Sequence, residues 1–477
     1  CIRDSLIPWD EAIYAGVAKN MVNTGEYMIP EWIPGKVWFE KPPLLMWLMA
    51  GVMSLLEIGE WAARLPTAIL GFGTVLLVYI WSKKMFGKIV AFVSGLALLT
   101  SVHFLYYARA SMMDVAVTFF ITLSLYFYYL AKQKDKAHLW VFSGLSIGFG
   151  IMTKGVIGFL PFAIIGLYEL YLLTTSQQKF SLTLFKNYAL LGLYALVVVT
   201  PWHLYMHQKF GMAFWQNYIG YHVFDRAISE IEDKGQSFFW YLIVLKVSMR
   251  IWFVALIPAF FYGIYKSFKK HNDVIFLLIW GLFVFAFFSV AKSKLVWYIT
   301  PIYPALVILV GFFVRDGMHW ILGFAKKFFK KREISPGWSF LIYFGITVFG
   351  LTYFYYHKKM VYTGDLTGKQ ARLIKYKDVR FGLEEVLYVD KVEPPLALFY
   401  SDGPSKTVDY AELHKTIKTA KANEQVVFMT KTSRFDSLEE EFPNLLVVMQ
   451  EKEWVLGYLP VKPVEEEVLG VDIGIFN

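Results

Sequence analysis

Long, nearly uninterrupted apolar segments are the feature that most constrains how this chain can fold. A helix needs about 20 apolar residues to cross the hydrocarbon core of a bilayer, and segments of that kind recur from residue 62 to residue 357. Only 18% of the 477 residues are charged, whereas an ordinary soluble domain carries about 25%. The pattern predicts an all-α polytopic membrane protein. Ten spans are predicted, at residues 62–82, 89–108, 114–131, 139–153, 155–175, 187–204, 238–265, 273–291, 295–314 and 338–357.

One further apolar segment, residues 44–57, is too short to span a bilayer. It follows Pro42-Pro43, and proline favours the first turn of a helix. We therefore expect an interfacial helix that lies on the membrane.

Lysine and arginine residues between the spans indicate which side each loop faces. They are concentrated in alternate loops, at Lys83, Lys84, Lys88, Lys132, Lys134, Lys136, Lys179, Lys186, Lys266, Lys269, Lys270, Arg315, Lys326, Lys327, Lys330, Lys331 and Arg332. The positive-inside rule makes that face cytoplasmic. These loops account for the net charge of +9, so it does not indicate a nucleic-acid partner. The protein is predicted in the inner (plasma) membrane, with residues 1–61, 205–237 and the tail outside the cytoplasm.

The tail differs in composition from the rest of the chain. It is charged and contains short β-like runs at 396–400, 426–430, 445–449 and 454–459, with helical stretches at 410–422 and 435–442. Three regions are thus predicted: a first extracytoplasmic loop with interfacial helices (1–61), a transmembrane domain (62–357) and a small extracytoplasmic α/β domain (358–477). The chain begins inside a loop, so we expect a transmembrane helix upstream of it. One cysteine, Cys1, excludes a disulfide framework and a cysteine metal cluster.

Polar residues that the topology does not explain gather on the predicted outer side. They are Asp10, Glu11, Glu40, Lys41, Arg109, Asp114, Lys154, His203, His207, His222, Asp225, Arg226, Lys292 and Lys294. Taken singly, Lys292, Lys294 and Arg109 could extend from helix ends to the interface, and Asp10 could be a helix N-cap. Together they mix both charges near the membrane, where ionisable groups usually pair, line a cavity or serve function. Carboxylates can act as a general base, and cations stabilise a leaving phosphate. The set therefore indicates a reaction at a lipid phosphate.

Several motifs resemble a known family. They are WDEAIYAGVAKNMVNTGEYMIPEWIPGKVWFEKPPLLMWL, EWAARLPTAILG, YYARASMMD, TKGVIGFLPF, PWHLYMHQKFGMAFWQNYIGYHVFDR and AKSKLVWYITPIYPAL, in order over about residues 1–315. They resemble the bacterial lipid A 4-amino-4-deoxy-L-arabinose transferases and their protein O-mannosyltransferase-like relatives. The resemblance implies the C-type glycosyltransferase fold and an inverting hexosyl- or pentosyltransferase that uses a polyprenyl-phosphate sugar. The tail gives no comparable match.

The resemblance also implies roles for individual residues. Asp10, Lys41 and Asp114 match catalytic positions: the base or orienting group for the acceptor hydroxyl, the lysine beside the donor phosphate and a second cavity carboxylate. The expected substrate-binding residues are Glu11, Glu40, Arg109, Lys154, His222, Arg226, Lys292, Lys294 and Tyr298. Glu40 and His222 could hold a divalent metal, although zinc prefers three or four protein ligands, so no cofactor is assigned.

The donor expected from the resemblance is an undecaprenyl- or other polyprenyl-phosphate sugar. Lipid A, a protein hydroxyl and another cell-envelope glycan all remain open as acceptors. A transporter or flippase of lipid-linked sugars is the alternative, but transporters commonly show repeated halves with midplane sites, and neither is visible here. A non-catalytic scaffold would not need acids opposite lysines.

Overall fold

The computed structural model describes residues 6–7, 9–134, 136–225, 235–329, 345, 368–390, 394–421 and 424–461. Two helices, α1 (Asp10–Thr24) and α2 (Leu44–Leu55), precede the helical bundle. The bundle helices follow in order: α3 (Glu60–Phe86), α4 (Lys88–Leu99), α5 (Val102–Ala108), α6 (Met113–Lys134), α7 (Ala137–Lys154), α8 (Leu160–Thr174), α9 (Leu182–Phe210), α10 (Met212–Trp215), α11 (Trp240–Met249), α12 (Ile251–Phe268), α13 (Asn272–Val290) and α14 (Tyr303–Phe329). Two 3-10 segments, Gly155–Phe159 and Val296–Ile302, and a π-helical segment, Gln216–Asp225, connect some of them.

The predicted all-α polytopic class is confirmed, whereas the predicted number of ten spans is not. Within the described ranges, seven helical stretches are long and apolar enough to cross a membrane, or eight if the bent pair α4–α5 counts as one span. As predicted, α2 is too short to be among them. The predicted span 338–357 lies outside the described residues except for residue 345.

The predicted span 238–265 is wrong in its bounds. The backbone of Arg250 has φ +49° and separates α11 from α12, so that only α12 is long enough to cross. The span predicted at 89–108 is bent by 66° between α4 and α5. Neither break has a proline at its centre, the residue type that most often signals one.

The helical stretch Ala137–Thr174 contains two helices, α7 and α8. Lys154 at the end of α7 pairs with Asp114 at the start of α6, whereas Glu169 of α8 lies 3.0 Å from Lys132 near the end of α6. The chain therefore reverses near Gly155, where φ is +55°. This reversal agrees with the two separate spans that the sequence predicts.

The carboxyl-terminal part contains a mixed five-stranded sheet. Its strands are β1 (Leu387–Asp390), β2 (Ser405–Val408), β3 (Val426–Lys431), β4 (Leu446–Glu451) and β5 (Trp454–Leu459), in the order β2-β1-β3-β5-β4. Strand β1 is parallel to β2 and β3, and the β3–β5 and β5–β4 pairs are antiparallel. The helices are α15 (Gly368–Phe381), α16 (Pro394–Tyr400), α17 (Tyr410–Thr419) and α18 (Thr432–Glu441).

The predicted α/β character of the tail is confirmed, with one strand misassigned. Residues 396–400, predicted as β-like, lie in helix α16. A short apolar run suits a strand and a buried helix equally well, and here Pro394 occupies the first helical position.

Helix α3 runs between the two ends of the bundle, and different parts of the chain contact its two termini. At its start, Glu60 lies 3.8 Å from Lys375 of the carboxyl-terminal domain. At its end, the Phe86 carbonyl accepts a hydrogen bond from Arg315 Nη1 at 2.9 Å. The first loop and the carboxyl-terminal domain therefore lie at one end of the bundle, and Arg315 lies at the other.

Candidate active site

The start of α1 places Asp10 inside the helix rather than at its cap. Trp9 is the N-cap residue, with φ +68° and ψ −113°, and no side chain makes a capping hydrogen bond there. Asp10 is the first helical residue and is half-buried. The N-cap explanation of this aspartate therefore does not fit the geometry, because a capping side chain belongs to the residue before the helix.

Glu11 anchors α1 to the bundle. Its side chain is fully buried, and its carboxylate accepts hydrogen bonds from Arg64 Nε (2.7 Å), Arg64 Nη2 (2.9 Å), the Ser111 amide (2.9 Å) and the Ile7 amide (2.6 Å). These four donors occupy both carboxylate oxygens. We therefore assign Glu11 to holding the first loop in place, rather than to the substrate contact expected from the sequence.

Tyr14, one turn after Asp10, shows that the acidic residues converge. Burial raises the pKa of Tyr14 well above its usual value, and the negative charges of Asp10, Asp114 and Glu40 raise this pKa further. The charges of three carboxylates thus act on one phenol, although the outermost two, Asp10 and Asp114, are 104 residues apart in the sequence.

The Asp114–Lys154 ion pair forms the floor of the site. Asp114 is 3% exposed, and its Oδ1 accepts a hydrogen bond from Lys154 Nζ. Lys154 Nζ also lies 4.8 Å from the centre of the Tyr298 ring, within cation–π range. Asp114 interacts electrostatically with Asp10 and Lys41 as well. The two carboxylates and the lysine for which the sequence predicts catalytic roles are therefore brought together.

A cavity of about 550 Å³ adjoins this ion pair. Its polar lining consists of Glu40, Lys41, Lys154, Tyr218, Ser293 and Tyr298. The opposite wall is apolar and includes Phe283, Phe287 and Phe288 of α13. Such a cavity suits a ligand with an anionic group at one end and an apolar group at the other.

The apolar wall reaches the outer surface of the bundle. Val290 lines the cavity and is 72% exposed, and its neighbour on the wall, Phe287, is 38% exposed. Because α13 is apolar enough to cross a membrane, we infer that this surface faces lipid and that the cavity opens towards the bilayer.

Other predicted substrate-binding residues lie outside the cavity lining. Lys294 is buried and its Nζ donates to the carbonyls of Ala291 (2.6 Å) and Gln236 (2.8 Å), so that it fixes the loop before Val296–Ile302. Lys292 is exposed, and Arg109 directly follows α5. His222 belongs to the π-helical segment, but its side chain and all of Arg226 lie outside what the structure describes.

His203 and His207 contact other parts of the protein rather than the cavity lining alone. His203 is buried, its Nδ1 lies 2.9 Å from the Val199 carbonyl, and its Nε2 lies 3.4 Å from the Tyr218 hydroxyl. His207 Nδ1 accepts a hydrogen bond from Trp215 at 3.1 Å. Both histidines therefore help to pack α9 against the segment that follows it.

The residues that the structure describes contain no group of three or more His, Cys, Asp or Glu that could hold a metal ion. Glu40 lines the cavity, but the side chain of His222, its expected partner, is not described. The described donors alone do not make the three or four ligands that zinc prefers. We therefore assign no step to a metal.

Sequence reasoning missed two residues that shape the site. Arg64 is the buried partner of Glu11, and Tyr218 lines the cavity. An arginine within the apolar segment EWAARLPTAILG was an available signal for Arg64, because a charge at that depth needs a partner. The tyrosine had no such signal among 30 tyrosines.

This chain is similar to known membrane glycosyltransferases in sequence. Residues 40–205 match the family described as dolichyl-phosphate-mannose-protein mannosyltransferase. An uncharacterized protein of Aquifex aeolicus is 31% identical over 64% of this chain and 59% of its own length. An undecaprenyl phosphate-alpha-4-amino-4-deoxy-L-arabinose arabinosyl transferase of Pseudomonas savastanoi pv. phaseolicola is 28% identical over 63% of this chain and 56% of its own length. The matches thus cover less than two thirds of these two relatives.

A solved structure extends the similarity to nearly the whole chain. The crystal structure of ArnT from Cupriavidus metallidurans bound to undecaprenyl phosphate has a TM-score of 0.73 and 19% sequence identity. The alignment covers 97% of this chain and 96% of that one. The predicted fold, including the small strand-containing carboxyl-terminal domain, is therefore confirmed, as is the predicted family resemblance.

Proposed function

We propose that this multi-pass membrane protein, which resembles the aminoarabinose transferases and protein mannosyltransferases in sequence and shares the ArnT fold, is itself a glycosyltransferase that uses a polyprenyl-phosphate sugar. The observation that carries the proposal is the cavity in which Lys41, Lys154 and Tyr298 face an apolar wall open to lipid. A polyprenyl-phosphate sugar has the matching parts: a lipid tail, a phosphate and a polar sugar. The names of the matched family and relatives support this donor class.

The reaction follows from the charges around the cavity. The acceptor hydroxyl oxygen forms a bond to the anomeric carbon of the sugar, and its proton passes to the Asp10 carboxylate. The bond from that carbon to the phosphate oxygen breaks, and the polyprenyl phosphate leaves with the electron pair. Lys41 and Lys154 stabilise the charge of this leaving group. Attack on the face opposite the phosphate inverts the anomeric configuration.

Asp114 has a supporting part in this proposal. Its carboxylate holds Lys154 towards the cavity and adds negative charge beside Asp10. Glu40 and Tyr298 complete the polar lining, and we assign to them contacts with the sugar-phosphate. Arg226 and His222 remain proposed substrate-binding residues from the sequence.

The sugar is a pentose such as 4-amino-4-deoxy-L-arabinose or a hexose such as mannose, by analogy with the relatives. The proposed acceptors are lipid A, a protein hydroxyl or another envelope glycan. We place the cavity and the carboxyl-terminal domain outside the cytoplasm, because the loops rich in lysine and arginine belong to the other end of the bundle.

Transfer in reconstituted bilayers tests the proposal. The protein is mixed with undecaprenyl-phosphate aminoarabinose or mannose and with lipid A or membrane protein, and products are identified by mass spectrometry. Transfer from one donor with release of undecaprenyl phosphate supports the enzyme. Movement of an intact fluorescent donor between leaflets, with no release of undecaprenyl phosphate, would instead favour the flippase alternative.

A further inference from the structure

Lys19, near the middle of α1, connects the first loop to the carboxyl-terminal domain. Its side chain is 8% exposed. Its ammonium group donates to the carbonyls of Phe399 (2.9 Å) and Ser401 (2.9 Å) and to Asp402 Oδ1 (3.1 Å). The three ammonium hydrogens thus all have acceptors on one short segment, Phe399–Asp402, which we call the clamp segment.

The same clamp segment also holds the chain ahead of α1. The hydroxyl of Tyr400 accepts a hydrogen bond from the Leu6 amide at 2.8 Å, and Tyr400 also interacts with Glu60 at the start of α3. Burial raises the pKa of Tyr400, and the charge of Glu60 raises this pKa further, so that the phenol stays neutral. The clamp segment therefore contacts α1, the residues before it and the bundle.

The clamp segment is itself fixed to its own domain. The Asp402 amide donates to Asp378 Oδ2 at 2.7 Å, and the Ser401 hydroxyl donates to the Gly403 carbonyl at 2.8 Å. Asp378 Oδ1 accepts a hydrogen bond from the fully buried Lys377 at 2.9 Å. Lys19 and Leu6 are thus connected through the clamp segment to the rest of the carboxyl-terminal domain.

These contacts bracket Asp10. Leu6 lies before it, and Lys19 lies about two and a half helical turns after it. Between them, Trp9 adopts φ +68°, a conformation that is sparsely populated for residues other than glycine. Such a conformation persists only where flanking contacts determine it. Glu11 supplies one of those contacts, through Arg64, and the clamp segment supplies others on both sides.

We propose that the carboxyl-terminal domain is a positioning element of the active site, with Lys19 as its positioning residue. The clamp segment holds α1 so that the Asp10 carboxylate stays beside the cavity. This inference rests on the proposed role of Asp10 as the base. Among the described residues, the hydrogen bonds of Lys19 go to the clamp segment, so we expect donor binding not to depend on it directly.

Replacement of Lys19 by methionine tests the proposal, because methionine keeps an apolar stem and removes the charge and the donors. Small displacements of catalytic groups cost up to about 100-fold in rate. We expect kcat of Lys19→Met to fall about tenfold to 100-fold while the donor KM changes less than twofold. Lys19→Arg, which keeps the charge and the donors, restores at least part of kcat. A general structural defect would not separate kcat from KM in this way.

Hydrogen–deuterium exchange provides a readout that is independent of activity. In Lys19→Met we expect the α1 amides to exchange at least about tenfold faster, with α6 and α7 unchanged and with the affinity for added undecaprenyl phosphate unchanged. If Lys19→Met does not accumulate, Tyr400→Phe removes a single hydroxyl and should change α1 exchange and kcat in the same direction. Lys406→Met, which breaks an exposed ion pair with Glu412 in the same domain, is the matched control.

Wild-type kcat together with wild-type α1 exchange in Lys19→Met would overturn the proposal. So would a lowered kcat with unchanged α1 exchange, since the effect would then not pass through α1. If the wild-type protein transfers no sugar, the proposed function is wrong, and with it the positioning role in catalysis. Faster α1 exchange in Lys19→Met would then still show that the clamp segment stabilises α1.

Discussion

At the scale of single residues, Asp10 distinguishes a helix-stabilising aspartate from a catalytic one. Because Trp9 rather than Asp10 occupies the N-cap position, loss of the Asp10 charge should not remove a cap. We predict that Asp10→Asn keeps the wild-type expression level and melting temperature but loses most sugar transfer. General-base contributions of about 10²–10⁴ in rate are large enough for an endpoint assay with a radiolabelled sugar donor.

Asp10→Glu is the companion variant. It keeps the charge but moves the carboxylate by one methylene, so we expect little transfer. Near wild-type transfer by Asp10→Asn would exclude Asp10 as the base, and Asp114 would become the next candidate. Loss of the folded protein in Asp10→Asn would instead indicate a structural aspartate.

Lys41 tests the phosphate end of the cavity. If its ammonium neutralises the leaving group, Lys41→Ala should lower kcat by about 10²–10³, the usual cost of losing one preorganised electrostatic contact. It should also weaken the binding of undecaprenyl phosphate, measured by competition with a labelled analogue. Lys36→Ala is the matched control, because Lys36 belongs to the same loop, is exposed and does not line the cavity. Equal activity of the two variants would remove Lys41 from the site.

The sequence indicated residues that the structure places around one cavity, but it did not indicate their partners. Glu40, Lys41, Lys154 and Tyr298 line that cavity, and their roles in binding or catalysis stay predictions. Glu11 was assigned to the substrate because its partner, Arg64, is 53 residues away and contacts between distant charges are not visible in sequence patterns. The sequence analysis did not single out Lys19, since only the tertiary structure places carbonyl groups around it.

At the scale of structural elements, the reversal between α7 and α8 depends on two glycines. Gly155 has φ +55°, and Gly158 packs directly on the backbone of α7. A Cβ atom on Gly158 would lie 2.1 Å from the Ile151 amide nitrogen, which cannot move away without breaking the helix. The reversal also places Lys154 on Asp114, so its geometry matters for the cavity.

Gly158→Ala should therefore destabilise the protein. Overpacking of this kind costs about 1–3 kcal/mol or more, which exceeds the small gain from restricting the unfolded chain. We expect a lower melting temperature in detergent, measured by the loss of monodisperse protein on size exclusion after heating. Gly192→Ala in α9 is the control, because its Cβ would meet nothing within 4 Å. Equal melting temperatures of the two variants would contradict the close packing at Gly158.

Apolar length predicted where most helices lie, but local breaks escaped prediction. The bend between α4 and α5 and the positive φ of Arg250 have no clear signal in composition, because both interrupt segments that are apolar on each side. In the carboxyl-terminal domain, strands β1 and β2 are only four residues long each, and β2 contains Ser405, Lys406 and Thr407. Their pairing with each other and with β3 determines them more than local propensity does.

At the scale of the whole molecule, the two ends of the bundle differ in the ion pairs and domains that they carry. One end carries the Lys132–Glu169 and Arg315–Asp316 ion pairs, near the loops that are rich in basic residues. The other end carries the first loop, the cavity and the carboxyl-terminal domain. The structure thus agrees with the grouping of loops that the basic residues indicate, while the direction of the bundle in the membrane rests on the positive-inside rule.

Thiol labelling tests that direction. In a variant in which Cys1 is replaced by Ser, Ser437→Cys introduces one exposed thiol in the carboxyl-terminal domain, and Thr183→Cys introduces one in the exposed first turn of α9. The positive-inside rule puts Ser437 outside and Thr183 in the cytoplasm. We therefore expect an impermeant maleimide to label Ser437→Cys in intact spheroplasts and to label Thr183→Cys only after lysis. The opposite result would place the cavity on the cytoplasmic side, where the donor phosphate would have to be reached from the other leaflet. Labelling of both variants before lysis would show that the spheroplasts leak, and the comparison would be repeated with intact cells.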